Sequence, residues 1–542
     1  MANAYGRKEI GLLEAVSIGI GGMIGGGIFA VLGLTVLLAK GAAPIAFFIA
    51  GLIALITSYS YAKLSVRYPS EGGTIEYIVQ AFGSGLIPSW LNTLLLASYV
   101  IMLALYAYAF GSYGAVLILG SEGLFVKKVL VVSIIMVFTL VNLMGAYIVG
   151  KAEDYMVVFK VLILLIFSAV GFLTLDPQRL SSSTYPGMLQ VFSGGLIIFL
   201  AYEGFELIAN TSAEVREPDI TLPRAFFISV IFVIFIYVLV AIVAVGNLSY
   251  REIVKAQDYV LAEAARPFFG KTGFILISIA ALLSTASAIN ATLFGTARVS
   301  YMVAKFGELP RVFAKRIWKG SYEGLVIISG ITIAAALSFD LENISVAGSL
   351  GFLFIFGAIN LANFKLAHKT GANRIIAATG TLACIAAALV LVVHNMKTNP
   401  ESLRSSLILI AFTFVFEVIY RLYRKKRLSP FIDWRLGERE EFLDNFEQYL
   451  EGIMRAIQAR FAESKVFLLD ELARAKRDTA NKLHLGVVVR EPLTREERRE
   501  ELERIRKEAG LKGHHPLKIT FVKEEAGLRS HTPKEIRWKK GN

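Results

Sequence analysis

Long apolar stretches separated by short polar loops fill the chain from Leu12 to about Tyr423, and beyond Arg424 it turns strongly polar and charged. A helix that crosses a bilayer needs about 20 mainly apolar residues. Twelve stretches are candidates: residues 12–38, 44–66, 88–119, 126–148, 155–175, 188–213, 225–246, 273–303, 325–339, 344–366, 375–393 and 403–422, the ninth being the weakest by length. The pattern predicts an all-α membrane protein with twelve transmembrane helices. The first stretch is long enough to span and lacks the short apolar core and small-residue cleavage site of a secretion signal, so it reads as a retained helix.

The segment after the last span has a different period. Leu443, Phe446, Leu450, Ile453, Ile457 and Phe461 fall at helical spacing and give one amphipathic face. Residues 483–489 and 517–522 read as strands. Thr494 with Glu497 reads as a capping box for a charged helix ending near Gly510. The division expected is a transmembrane domain over 1–426 and a small cytoplasmic α/β domain over 429–542. For that second domain, ligand sensing, self-association into a homo-oligomer and plain solvation are all open.

Composition agrees with a membrane chain. Of 542 residues, 55% are apolar and only 18% charged, where a soluble domain carries about a quarter charged. The net charge of +13 suggests nucleic acid at first sight. Many of the basic residues, however, lie in short loops between apolar stretches, where the lipid bilayer's positive-inside rule expects them. Arg7, Lys8, Lys63, Arg67, Lys151, Arg216 and Arg224 fall on one side, as do the groups at Lys305–Lys319, Lys365–Arg374 and Arg421–Arg427. That majority puts both termini in the cytoplasm of a multi-pass plasma-membrane protein. Lys127 and Lys128 run against the rule. The single cysteine, Cys384, excludes an intramolecular disulfide and a thiolate metal cluster. The adjacent His514 and His515 lack further ligand spacing, so no metal is expected, and no nucleophile–base pair suggests an enzyme.

Two spans carry breaks. From Ile18 to Phe29 the chain reads Ile-Gly-Ile-Gly-Gly-Met-Ile-Gly-Gly-Gly-Ile-Phe, half of it glycine. Glycine costs about 1 kcal/mol relative to alanine inside a helix. Small-residue packing explains glycine pairs, but the triplet Gly25, Gly26 and Gly27 goes further than packing requires. It allows unwinding, and bare backbone at membrane depth is tolerated only where it lines a cavity or is buried in protein. In the sixth span, Phe199-Leu-Ala-Tyr-Glu-Gly-Phe-Glu206 places Glu203 and Glu206 in an apolar stretch. Intramembrane acids are costly and are functional candidates by default, or else structural braces. Spans one and six each open a group of five, and interrupted helices at corresponding places point to an inverted-repeat transporter with a mid-membrane site. Helix N-terminal N–H groups suit a carboxylate and unwound carbonyls an ammonium group, so the physics fits a zwitterion.

Lys160 lies early in span five, from where its side chain can snorkel to the surface. Ser284 and Ser287 share one face of span eight. A buried amine facing hydroxyls and bare carbonyls would instead be able to load and release a proton.

These segments together resemble the amino acid–polyamine–organocation superfamily over about residues 8–426. The motifs are Gly25-Gly-Gly-Ile-Phe29, Tyr68-Pro-Ser-Glu-Gly-Gly-Thr-Ile-Glu-Tyr77 with Ala81-Phe-Gly83, Ala213-Glu-Val-Arg-Glu-Pro218, Leu222-Pro-Arg-Ala225, Leu283-Ser-Thr-Ala-Ser-Ala-Ile-Asn-Ala291 and Gly307-Glu-Leu-Pro310. Within it the chain looks similar to archaeal proton-coupled, broad-specificity amino acid permeases, through Glu14-Ala-Val-Ser17, Lys160-Val-Leu-Ile-Leu164 and Phe416-Glu-Val-Ile-Tyr420. The resemblance implies a LeuT-like fold, a 5+5 inverted repeat plus two helices. It implies proton coupling through Lys160 at the carbonyl of Gly21 and at Ser284 or Ser287, the lysine standing where sodium-coupled relatives hold their ion. It implies substrate contacts at the N–H groups of Gly26 and Gly27, beside Gly25, and at the carbonyls of Met23, Leu200 and Glu203, with Tyr202 among the site residues. Glu206 matches a proton-sensing acid of an exchanger branch whose pocket tryptophan is Leu200 here. The function expected is amino acid import by proton symport, with no cofactor besides the proton. An amino acid–metabolite exchanger and a membrane sensor on a transporter fold are the alternatives.

Overall fold

The computed structural model describes residues 10–70, 72–83, 85–121, 123–144, 150–305, 307–315, 323–424, 446–460, 465–468, 483–488, 494–508, 517–522 and 534–535. The chain forms two compact units that divide near Leu428.

The first unit is helical. In chain order its helices are α1 (Leu12–Met23), α2 (Gly27–Ala39), α3 (Ala43–Arg67), α4 (Thr74–Phe82), α5 (Leu86–Leu119), α6 (Leu124–Met144), α7 (Gly150–Gly171), α8 (Met188–Ile197), α9 (Leu207–Asn210), α10 (Pro218–Asn247), α11 (Tyr250–Lys255), α12 (Val260–Ala264), α13 (Arg266–Lys305), α14 (Glu323–Ser338), α15 (Leu341–Lys365), α16 (Ala367–Thr370), α17 (Arg374–Thr398) and α18 (Pro400–Tyr423). Among the described residues, eight helical stretches are long and apolar enough to cross a membrane, α2 and α3 counting as one 41-residue stretch. The shorter apolar helices are α1, the 156–171 part of α7, α8 and α14. The chain is therefore a multi-pass membrane protein.

Burial sorts centre from rim. The most apolar part of α5 is 83% buried, whereas that of α6 is 17% and those of α17 and α18 are 28%. So α5 runs through the middle, packed on α13 and α15, while α6, α17 and α18 show apolar faces outward. Helix α3 packs along α10, and α1 lies against α10, α7 and α13. Local chemistry sets several ends. Asp340, Asn373 and Asn399 cap α15, α17 and α18 through side-chain oxygens, which satisfies first-turn N–H groups that have no partner within the helix.

The outlines drawn from hydropathy need correction at several ends. Span seven starts at Pro218, not Ala225, because proline is compatible with the first helical position. Helix α7 runs from Gly150 to Gly171, shifted toward the N-terminus of the expected 155–175. The Tyr68–Tyr77 motif leads into α4, which at 9 residues is too short to cross a bilayer. The loop after span seven holds α11, a 3-10 turn at Gln257–Tyr259, and α12. In it Asp258 explains the anomalous Lys127: their side chains pair at 2.7 Å, both 13% exposed. The Lys127 ammonium also lies 3.5 Å from the centre of the Tyr108 ring. A neutralised, ring-covered lysine is a poor marker of sidedness.

In the second unit the described residues form α19 (Phe446–Arg460), β1 (Lys465–Leu468), β2 (Leu483–Val488), α20 (Arg495–Glu508), β3 (Leu517–Val522) and β4 (Lys534–Glu535). The sheet order is β3-β2-β1-β4. Strands β1 and β2 are antiparallel, with Lys465 opposite Val488, and β2 and β3 are parallel, with Leu483 opposite Leu517. A parallel neighbour needs a crossover, and α20 lies in the chain between these two strands. Ile453, Met454, Ala456 and Ile457 of α19 are buried, as is Ile505 of α20. Thr494 and Glu497 close the α20 cap reciprocally: the Thr494 N–H donates to Glu497 Oε2 at 2.7 Å, and the Glu497 N–H to Thr494 Oγ1 at 3.3 Å.

Arg7, Lys8, Glu71, Arg316, Lys319, Lys425, Lys426, Arg427, Leu443, Phe461, Val489, Gly510, His514 and His515 lie outside the described residues, as does the expected end of span four at 145–148.

Candidate functional site

The first span is two helices. After Met23 the chain turns through Ile24, Gly25 and Gly26 and restarts as α2 at Gly27, all of it buried. Two tight hydrogen bonds finish α1: the Ile24 N–H donates to the Ile20 carbonyl at 2.8 Å, and the Gly25 N–H to the Gly22 carbonyl at 3.3 Å. A Cβ on Gly26 would stand 2.1 Å from a ring carbon of Tyr106, so that ring lies directly on bare backbone. This is why the turn is glycine.

A helix leaves its last carbonyls without partners inside the helix. Here four consecutive carbonyls meet side chains from four different helices. Lys160 Nζ, from α7, donates to Gly21 O at 2.9 Å. The Tyr106 hydroxyl, from α5, donates to Gly22 O at 3.4 Å. The Tyr237 hydroxyl, from α10, reaches Met23 O at 2.5 Å and Ala201 O at 3.0 Å. Ser284 Oγ, from α13, donates to Ile24 O at 2.5 Å. Lys160 is 1% exposed. Its Nζ therefore sits inside, at the negative end of the α1 dipole, and does not snorkel. Ser287 is buried as well, and its hydroxyl has no hydrogen-bond partner among the described residues.

The sixth span breaks too. Helix α8 ends at Ile197, a 3-10 turn covers Phe199–Tyr202, Glu203 is extended, and helix resumes only at α9. Gly204 has φ +117°, a conformation that side-chain-bearing residues rarely adopt. The Glu206 carboxylate accepts from the Gly204 N–H at 2.7 Å and from the Tyr99 hydroxyl at 3.3 Å. Glu206 and Glu203 are both buried.

The two breaks touch. A Cβ on Gly22 would lie 2.7 Å from Gly204 O, and one on Gly204 would lie 2.4 Å from Gly22 C. A Cβ on Gly27 would fall 2.8 Å from both Ala201 O and the Tyr237 hydroxyl. The residues singled out in the sequence thus come together: Gly21, Met23, Gly25, Gly26 and Gly27 from one break, Leu200, Glu203 and Glu206 from the other, with Lys160 and Ser284 at the flank. Tyr202 faces elsewhere, since its hydroxyl donates to Phe47 O of α3 at 2.8 Å and its ring packs on Tyr237. Sequence reading missed Tyr106, Tyr237 and Tyr99. A tyrosine in an apolar span has a polar tip that seeks a partner when buried, but its position in the chain does not say which partner.

Chemically the arrangement is bipolar. The α2 N-terminus presents backbone N–H groups and a positive dipole end, suited to an anion. The ends of α1 and of the span-six turn present carbonyls, suited to a cation. Among the described residues no cluster of metal-ligating side chains is present.

Comparison with known proteins agrees in kind. A family model described as amino acid permease matches residues 10–421. An uncharacterised protein of Methanocaldococcus jannaschii is 37% identical over 424 residues, which cover 78% of this chain and 98% of that protein. The inner membrane transport protein YbaT of Escherichia coli is 34% identical over 378 residues, 70% of this chain and 88% of its own. The serine/threonine exchanger SteT of Bacillus subtilis is 28% identical over 319 residues, 57% of this chain and 71% of its own.

Proposed function

Since the chain belongs to the amino acid permease family, and so is a membrane transporter of amino acids and not an enzyme, we propose that it imports them by proton symport through alternating access. The observation that carries this reading is the buried Lys160 amine, whose Nζ donates to the Gly21 carbonyl next to the break. In this reading the substrate carboxylate meets the N–H groups of Gly26 and Gly27. Its ammonium meets the carbonyls of Met23, Leu200 and Glu203. Lys160 is the group that gains and loses the coupling proton. When it is charged it holds the end of α1 in place, and when it is neutral that hold weakens. Ser284 and Ser287 complete its surroundings.

The same reading makes the membrane unit twelve spans, a LeuT-like inverted repeat of five and five plus two. The support is that breaks fall in the first span of each group of five. Both termini are cytoplasmic, as the basic loops suggest. The second unit is a cytoplasmic domain, with regulation or self-association as its role.

Uptake of labelled amino acids into proteoliposomes, tried one by one with an acidic exterior, tests the proposal. Symport gives accumulation above the external concentration in empty vesicles. Uptake only into vesicles preloaded with amino acid would make the protein an exchanger, the activity named for SteT. Binding with no flux would make it a sensor.

A further inference from the structure

Buried serines on a helix usually return their hydroxyl to the carbonyl one turn back. Ser345 of α15 does so, to Leu341 O at 2.7 Å. Ser349, one turn further along the same helix and fully buried, does not. Its hydroxyl donates to Ile197 O at 2.7 Å and accepts from the Leu200 N–H at 3.1 Å. These groups bracket the start of the span-six break. The chain tightens there, so that the Ala201 N–H bonds the Ile198 carbonyl at 2.8 Å and leaves Ile197 O without its helical donor. One hydroxyl from another span supplies both the donor and the acceptor that the break removes. The residue before it, Gly348, holds the Leu200 side chain, for a Cβ there would lie 2.8 Å from both Leu200 δ-carbons.

We infer that Ser349 is a positioning residue for substrate binding: it splints the Ile197–Leu200 turn and fixes the direction of the Leu200 carbonyl. The inference rests on the reading that this carbonyl receives the substrate ammonium. That carbonyl already accepts from the Glu203 N–H at 3.1 Å, and a carbonyl oxygen has two lone pairs. The second is useful only if the turn holds its orientation. Every α-amino acid has the same head group, so Ser349 governs affinity for all substrates alike and leaves the ranking among them unchanged.

The test compares Ser349→Ala with Ser345→Ala, a matched loss of a buried hydroxyl on the same helix. Amino acid dissociation constants and ligand-free melting temperature are measured on purified protein. The expected result is Kd weakened about tenfold by Ser349→Ala, equally for a small and a large amino acid, in a protein that still folds but melts lower than Ser345→Ala, because the Ile197 carbonyl and the Leu200 N–H lose their partner. Ser345→Ala keeps Kd within about twofold. Equal affinity in Ser349→Ala and wild type overturns the inference and leaves the functional reading standing. So does an equal loss in both variants, or a Ser349→Ala protein that loses its fold, since either result makes the hydroxyl a general brace. Failure of the wild-type protein to bind any amino acid overturns the functional reading and this inference together.

Discussion

Gly204 shows at the scale of one residue why the site has the sequence it has. Its φ of +117° is strained for any side chain, and its missing Cβ is occupied by the Gly22 backbone. Gly204→Ala is expected to lose about 2–4 kcal/mol from strain and overpacking together, read as a large drop in melting temperature and in recovered protein. A wild-type melting temperature in that variant would mean the breaks do not touch. Only part of this was legible beforehand. The glycine run and the acids of span six stood out because each is expensive in a membrane helix. Lys160 stood out as a charge, yet its depth alone favoured snorkelling. What decides the matter is a contact with Gly21, 139 residues away in the chain, and no spacing encodes that. Tyr237 and Ser349 were invisible for the same reason: hydroxyls are common in apolar spans, and their role comes from which bare carbonyl lies opposite.

At the scale of elements, hydropathy predicts where spans lie and fails where function interrupts them. A window averaged over about 20 residues treats 188–213 as one apolar span. The structure divides it into α8, a 3-10 turn, an extended residue and α9, because the interruption changes backbone conformation far more than composition. Hydropathy likewise leaves the stretch between α10 and α13 as a gap between spans. Its 3-10 turn packs on α2 and α5, and a Cβ on Gly33 would lie 2.1 Å from Gln257 O. Lys127 and Asp258 pin that turn, with Ser112 Oγ also within 3.4 Å of the Asp258 carboxylate. A charge-assisted hydrogen bond in partial burial, with a cation–π contact, is worth about 1–3 kcal/mol. Lys127→Ala and Asp258→Ala should therefore each lower the melting temperature, and the double variant should be no worse than the poorer single one. Fully additive losses would show that the pair is not coupled.

For the whole molecule, the account is that spans from several parts of the chain meet at two breaks to form one bipolar site, with a titratable amine beside it. The long apolar helices and the two breaks follow from local patterns. Their convergence is tertiary, and sequence supports it only through resemblance to a family. The second unit lies outside the family match, which ends at residue 421, so its helices and sheet gain no functional meaning from the comparison. The central claim is that Lys160 carries the coupling proton, and accumulation in proteoliposomes under an imposed pH gradient tests it most directly. With the exterior one pH unit more acidic and one proton moved per substrate, wild-type protein should raise internal amino acid toward about tenfold over external. Lys160→Gln, which keeps hydrogen-bonding capacity and cannot titrate, should bring the two sides only to equal concentration. Continued accumulation by Lys160→Gln would contradict the account.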